Sequence, residues 1–148
     1  MLGDLPIPGD LPISINCFDH FLPTYQHLGD AGADLRATFS VTTVPGQKTL
    51  VDTGVKIAIP GGYVGLVLPR SGLSSGGLVA IPGTIDSGYR GKIKVLLYNI
   101  ARDNLTILEG DRIAQLVILP MVQANFQRVK ELPPGDRGEN GFGSTGRK

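Results

Sequence analysis

The sequence predicts an all-β protein of short strands, built as a sandwich, jelly roll or irregular barrel, with at most one short helix. Three observations predict it. The apolar runs are short, rich in β-branched residues and bounded by turn residues. Glycine numbers 21 and proline 11 in 148 residues, so breakers recur too often for long helices. No stretch carries apolar residues at helical spacing over four turns.

Strands are predicted at Thr49 to Pro60, Tyr63 to Pro69, Lys92 to Asn99, Arg112 to Leu119 and Asn125 to Val129. Between them lie Pro-Gly at 45–46, Pro-Gly-Gly at 60–62, Pro-Gly at 82–83 and Glu-Gly-Asp at 109–111, all formers of tight turns. The helical candidate is a single turn at Ser71 to Ser75, after Pro69. Asp86-Ser87-Gly88 follows a strand ending at Ile85 and reads as a hairpin turn. Lys92-Ile93-Lys94-Val95 alternates polar and apolar, then Leu96-Leu97 breaks the alternation. One face of that strand is therefore expected to be solvated at its start, with both faces covered further on. From Glu131 to Lys148 the chain turns polar and glycine-rich, a flexible tail by composition, in which Phe142 stands out. The expected organisation is one β-barrel domain over residues 1–130 and a tail over 131–148.

With 14 basic and 13 acidic residues the net charge is +1, so no global field draws the chain to nucleic acid or to an anionic membrane. An anionic ligand must be held locally. The single cysteine, Cys17, cannot form an internal disulfide, which suits a reducing compartment, and its expected role is a small buried apolar side chain. No basic segment followed by an apolar stretch opens the chain, and no run reaches the length of about 18 apolar residues that a spanning helix needs. A cytoplasmic location is expected.

Two apparent motifs are set aside. Gly141-Phe142-Gly143-Ser144-Thr145-Gly146 matches the dinucleotide-binding pattern in letters, but that pattern works only between a strand and a helix, and the sequence ends two residues later. Cys17, Asp19, His20 and His27 are too sparse a set for a structural zinc site, so the histidines are expected on the surface or in packing.

Five segments combine charged or hydroxylated residues with glycines. They are Ala31-Gly32-Ala33-Asp34-Leu35-Arg36-Ala37, Pro69-Arg70-Ser71-Gly72-Leu73-Ser74-Ser75 and Gly83-Thr84-Ile85-Asp86-Ser87-Gly88-Tyr89-Arg90-Gly91, followed by Gly110-Asp111-Arg112-Ile113-Ala114-Gln115-Leu116 and the run from Arg137 to Gly146. In composition and order they resemble the five motifs of the dUTPase (deoxyuridine triphosphate nucleotidohydrolase) family, and the resemblance spans more than three-quarters of the chain. The stretch from Leu73 to Pro82 departs from it, being slightly shorter and lacking the Lys-His pair common in relatives.

The resemblance implies a jelly-roll-like distorted β-barrel that hydrolyses dUTP to dUMP and pyrophosphate. Arg70, with its planar fork of donors, and Ser71 and Gly72 read as a phosphate cradle. In isolation the same residues are an ordinary turn beside a surface arginine. The hairpin backbone at Gly83, Thr84 and Ile85 is expected to pair with uracil, and Tyr89 to pack on the deoxyribose and leave no room for a ribose 2′-hydroxyl. Asp86 is the expected catalytic base, because hydrolysis needs a group to take the proton of the attacking water, and a carboxylate serves at neutral pH. An ordinary turn aspartate is the bland reading of the same residue. Lys94 is placed among the substrate contacts. Gln115 is placed near the α-phosphate, the alternative being a solvent-facing amide on an otherwise apolar strand. Arg112 is expected to make structural contacts. Arg137 is assigned to the γ-phosphate, Phe142 to stacking on uracil, and Gly143, Ser144 and Gly146 to wrapping phosphate oxygens, which would make the tail a lid.

The implied cofactor is Mg²⁺ carried on the triphosphate, with Asp34 reaching it only through water. The implied assembly is a homotrimer with shared active sites, since relatives that act as single chains are about twice as long and internally repeated, and no repeat occurs here. Two rival functions remain at this level. One is dCTP deamination, alone or combined with diphosphatase activity, which needs an acidic residue at the amino position of the base. The other is a non-catalytic regulatory module on the same scaffold, which would be expected to have lost Arg70, Asp86 or the tail.

Overall fold

The computed structural model describes residues 11–136, 138 and 139. Among the described residues ten strands form two four-stranded antiparallel sheets and a two-stranded ribbon, with one short α-helix, so the fold is all-β, as the breakers and short apolar runs predict, and is the jelly-roll-like barrel that the resemblance implies. The strands are β1 (Ser14–Asn16), β2 (Ala33–Arg36), β3 (Val41–Thr43), β4 (Lys48–Ala58) and β5 (Tyr63–Leu68), then, after helix α1 (Ser71–Ser75), β6 (Leu78–Ile81), β7 (Gly83–Ile85), β8 (Lys92–Asn99), β9 (Leu105–Ile107) and β10 (Arg112–Pro120). A 3-10 turn occupies Asp19–Phe21. The first sheet runs β1-β4-β8-β6, the second β2-β10-β5-β7, and β3 pairs with β9.

Alternation fills the space between the sheets. Val51, Val55 and Ile57 of β4 point inward with Ile93, Val95 and Leu97 of β8, and meet Leu35, Val67, Ile113 and Leu116 from the second sheet. Polar groups inside are paired. Thr53 Oγ1 donates to the Ile93 carbonyl at 2.7 Å, and Asn99 Nδ2 donates to the Thr43 carbonyl at 3.2 Å and to that of Asp103 at 3.0 Å.

β4 does not pair with β8 without interruption. The register shifts between Asp52 and Lys56, where Gly54 adopts φ +70°, a conformation that favours glycine. Asp52 Oδ1 accepts the Gly54 N–H at 2.6 Å and Oδ2 lies 3.2 Å from Lys92 Nζ. This bulge therefore anchors the first residue of β8, where the preceding 86–91 segment rejoins the sheet.

Two expectations need correction. Asn125–Val129 is not a strand: residues 121–136 run exposed, because among the described residues no strand lies alongside to pair with them. The outer face of β8 is also not covered toward its end. Leu96 is half-buried in a cleft beside β7, but Tyr98 remains 36% exposed, so the broken alternation marks a cleft and not a second covering layer. Strands β1, β2, β3, β6 and β9, each of three or four residues, carried too little pattern to be predicted.

Candidate active site

Segments from β2, the end of β5 and β10 meet around one carboxylate. Asp34 is only 5% exposed, and a buried charge must be paired. Its Oδ1 lies 2.7 Å from Arg70 Nε and its Oδ2 3.5 Å from Arg112 Nη1. Arg70 Nη1 also donates to the Arg112 carbonyl at 3.3 Å, so Arg112 makes the structural contacts expected of it. Both arginines keep exposed surface, 25% and 41% of their side chains, while holding the buried carboxylate.

The same three segments are tied by Gln115. β10 pairs Gln115 with Asp34 on one side and with Leu68 on the other. The amide is half-buried and does not face open solvent: Nε2 donates to the Pro69 carbonyl at 2.9 Å. It lies across Gly32, where an added Cβ would fall 2.9 Å from the Gln115 Cβ and Cδ. The lack of a side chain at position 32 gives the amide its place. Arg70, Ser71, Gly72, Asp34 and Gln115 thereby line one polar cleft of about 280 Å³, whose other wall includes His27 and Asp30. Ser71 and Gly72 open α1, with Arg70 in extended conformation before it.

The second cleft, of about 340 Å³, lies beside the hairpin. Gly83, Thr84, Ile85, Asp86, Tyr89 and Lys94 line it together with apolar Val67, Ile81 and Leu96. β7 pairs only with β5 and so leaves the other edge of its backbone without a strand neighbour. The turn is latched internally: Tyr89 N–H donates to the Asp86 carbonyl at 3.0 Å, and Arg90 Nη1 donates to the carbonyls of Ser87 at 2.6 Å and Tyr89 at 2.9 Å. The Tyr89 hydroxyl donates to the Lys92 carbonyl at 2.9 Å. Asp86 is exposed, and among the described residues its carboxylate has no hydrogen-bond or ion-pair partner.

The predicted residues thus fall into two clefts with no lining residue in common. Arg137, Phe142, Gly143, Ser144 and Gly146 lie outside the described residues. A third cleft of about 460 Å³, between the 3-10 turn and Gly110, holds none of the predicted residues, although its own residues include Arg36 and Glu109. Arg36 there is structural, donating to the Gly110 carbonyl at 2.9 Å, as is Asp111, whose Oδ2 caps the Leu108 N–H at 2.8 Å. Both histidines are exposed, and His20 stacks on Phe18 and meets the Phe21 ring at a tilt of 49°. Cys17 is half-buried against the core, and burial, with the nearby Asp19 carboxylate, pushes its thiol up and away from the reactive thiolate.

Among the described residues no three His, Cys, Asp or Glu side chains gather closely enough to hold a metal by themselves. No helix among the described residues is long and apolar enough to cross a membrane.

A family model described as dUTPase matches residues 19–146. The chain is 54% identical over 126 residues to the deoxyuridine 5′-triphosphate nucleotidohydrolase of Bifidobacterium longum, covering 82% of this chain and 80% of that protein. To the enzyme of the same name from Cutibacterium acnes it is 50% identical over 129 residues, covering 84% and 85%. Among solved structures, a variant of the Staphylococcus bacteriophage 80alpha dUTPase with dUpNHpp superposes with a TM-score of 0.84 at 31% identity, covering 91% of this chain and 98% of that one. A variant of the dUTPase of phage phi11 of S. aureus, described as coordinating a structural Mg(II) ion, gives 0.77 at 29% identity, covering 84% and 100%.

The ion pairs at Asp34 generate a stability prediction. Asp34→Asn keeps the shape but removes the charge that both arginines face. It is expected to lower the unfolding free energy by about 2 kcal/mol, less than for a fully buried pair because the arginines are partly solvated. Urea denaturation checks this; an unchanged midpoint would show that the pairs hold nothing in place.

Proposed function

The chain belongs to the dUTPase family and hydrolyses dUTP to dUMP and pyrophosphate, and we propose that Asp86 activates the attacking water. The observation that carries this assignment is an exposed carboxylate that lines the hairpin cleft and, among the described residues, has no hydrogen-bond or ion-pair partner. A carboxylate committed to no other partner is free to take the proton of the attacking water.

In this reading uracil enters the hairpin cleft and is recognised by the backbone of Gly83, Thr84 and Ile85. A slot walled by Val67, Ile81 and Leu96 favours a flat base without a bulky substituent, and fixed backbone donors and acceptors disfavour a base with the wrong pattern, since mismatched buried groups go unpaired. Tyr89 faces the deoxyribose, and Lys94 supplies positive charge near the phosphates. Arg70, held by Asp34, presents its remaining donors to the triphosphate with Ser71 and Gly72, while Gln115 lies close to the α-phosphate. Mg²⁺ arrives on the triphosphate and neutralises its charge, and Asp34 serves it only through water. Arg137, Phe142, Gly143 and Ser144 close the tail as a lid, their assignment resting on the sequence motif. A single half-buried thiol suits a reducing, cytoplasmic setting.

The two clefts have no lining residue in common, which supports a homotrimer whose complete sites combine the hairpin of one copy with the arginine cleft of another. The extended segment after β10 supports the same assembly. Val122 and Phe126 are each 93% exposed and Leu132 84%, more apolar side chain than a lone chain ordinarily leaves in water.

Four outcomes test this reading. Given dUTP, dCTP, dTTP and UTP with Mg²⁺, the protein should release pyrophosphate from dUTP far faster than from the others, and no ammonia from dCTP. Asp86→Asn should lower kcat about a hundred- to ten-thousandfold; turnover unaffected by that change would remove Asp86 from the chemistry. Deleting residues 137–148 should sharply lower turnover without lowering the melting temperature, and undiminished turnover would rule out the lid. In sedimentation, wild type should run as a trimer and Phe126→Asp as smaller species, whereas an active wild-type monomer would refute the shared site.

A further inference from the structure

Gly91 is a glycine for which its own backbone gives no reason. Its φ lies outside the left-handed region adopted by Gly54, Gly77 and other glycines of the chain, so an L-residue meets no backbone strain there. The obstruction is the Tyr89 ring. A Cβ built on Gly91 would fall 2.6 Å from Tyr89 Cζ and 3.0 Å from Cε2, and closer still to the hydroxyl oxygen. The ring therefore folds back over the Gly91 backbone, and the hydroxyl that projects past it donates to the Lys92 carbonyl at 2.9 Å. Lys92 is in turn tethered to Asp52 at the β4 bulge. Gly88, in the same hairpin, differs: a Cβ there would meet nothing within 4 Å.

We propose that Gly91 is a specificity-determining position of this enzyme, a positioning residue that provides the seat for the Tyr89 ring and thereby sets the enzyme's preference for deoxyribose over ribose. The proposal rests on the reading of Tyr89 as the ring that faces the sugar. A ring pressed on bare backbone and tied through its hydroxyl has one position, and a steric filter against a single oxygen atom requires one. Exclusion of a group as small as a hydroxyl is lost when the wall can retreat by about an ångström. A side chain at position 91 would occupy the seat. Because the atoms it meets are the far end of a side chain and not backbone, the response is displacement of the ring, with the fold retained.

The test is a set of variants assayed for kcat and KM with dUTP and UTP, each with a melting temperature. Gly91→Ala is expected to melt close to wild type and to lower the ratio of kcat/KM for dUTP over UTP at least tenfold, mainly by raising KM for dUTP and lowering it for UTP. In a Tyr89→Ala background the same substitution should change that ratio less than twofold. Gly88→Ala, with open space around its methyl group, should leave the ratio within twofold of wild type. Tyr89→Phe keeps the ring but loses the tie to Lys92, and should lower the ratio in the same direction; it carries the test if Gly91→Ala does not fold. The proposal is overturned if Gly91→Ala slows both substrates equally, if its effect persists without Tyr89, or if Gly88→Ala shifts the ratio as much. A wild-type enzyme that hydrolyses dUTP but shows no preference over UTP overturns the sugar-facing role of Tyr89 and the proposal with it. One that hydrolyses neither fails at the earlier step, the assignment of the activity.

Discussion

A carboxylate that is only 5% exposed must have its charge answered, and at Asp34 that requirement organises one half of the site. Both partners are arginines from other segments, one at the entrance to α1 and one at the start of β10. Without them the carboxylate would be intolerable at that depth, so three segments distant in sequence are obliged to converge. Arg70 consequently has its Nε committed to Asp34 and its Nη1 to the Arg112 carbonyl, which hold the guanidinium in place. In a chain of net charge +1 the positive charge is here concentrated by pairing geometry, not by composition.

The hairpin half is built on a different constraint. Position there is fixed by contacts to backbone: the 86–89 turn, the Arg90 latch and the Tyr89 hydroxyl on Lys92. The Asp52 bulge carries this rigidity into the barrel, because the residue that accepts from the tyrosine also pairs with the bulge. Backbone donors and acceptors cannot rotate away, so the pattern that the hairpin presents is constant.

Much of the architecture was legible in the sequence because it is local. The long strands β4, β5, β8 and β10 announce themselves by β-branched runs between Pro-Gly turns, and α1 by the serines after Pro69. The three- and four-residue strands were invisible, since pairing partners and not pattern define them. The segment at Asn125–Val129 looked like a strand for a sound reason: its residues favour extension, but extension becomes a strand only beside another. For the candidate site, the motifs did not give the arrangement of their residues. Nothing in the sequence links Asp34 to Arg70, or shows that Gln115 lies over Gly32. A glycine required for space and one required for a turn are the same letter, which is why Gly32 and Gly91 passed as punctuation.

The position of β10 has a consequence for how the protein comes into being. It is the last strand of the described chain and an interior strand of its sheet, lying between β2 and β5. Until residue 120 has left the ribosome, β2 and β5 have no common neighbour, and Asp34 has no Arg112. Nascent chains therefore hold an apolar half-sheet open for most of their synthesis, and closure is a late step that joins residues about eighty positions apart. Closure through contacts so distant in sequence carries a large loop-closure cost, and until it is met the apolar faces of β2 and β5 lack their common neighbour.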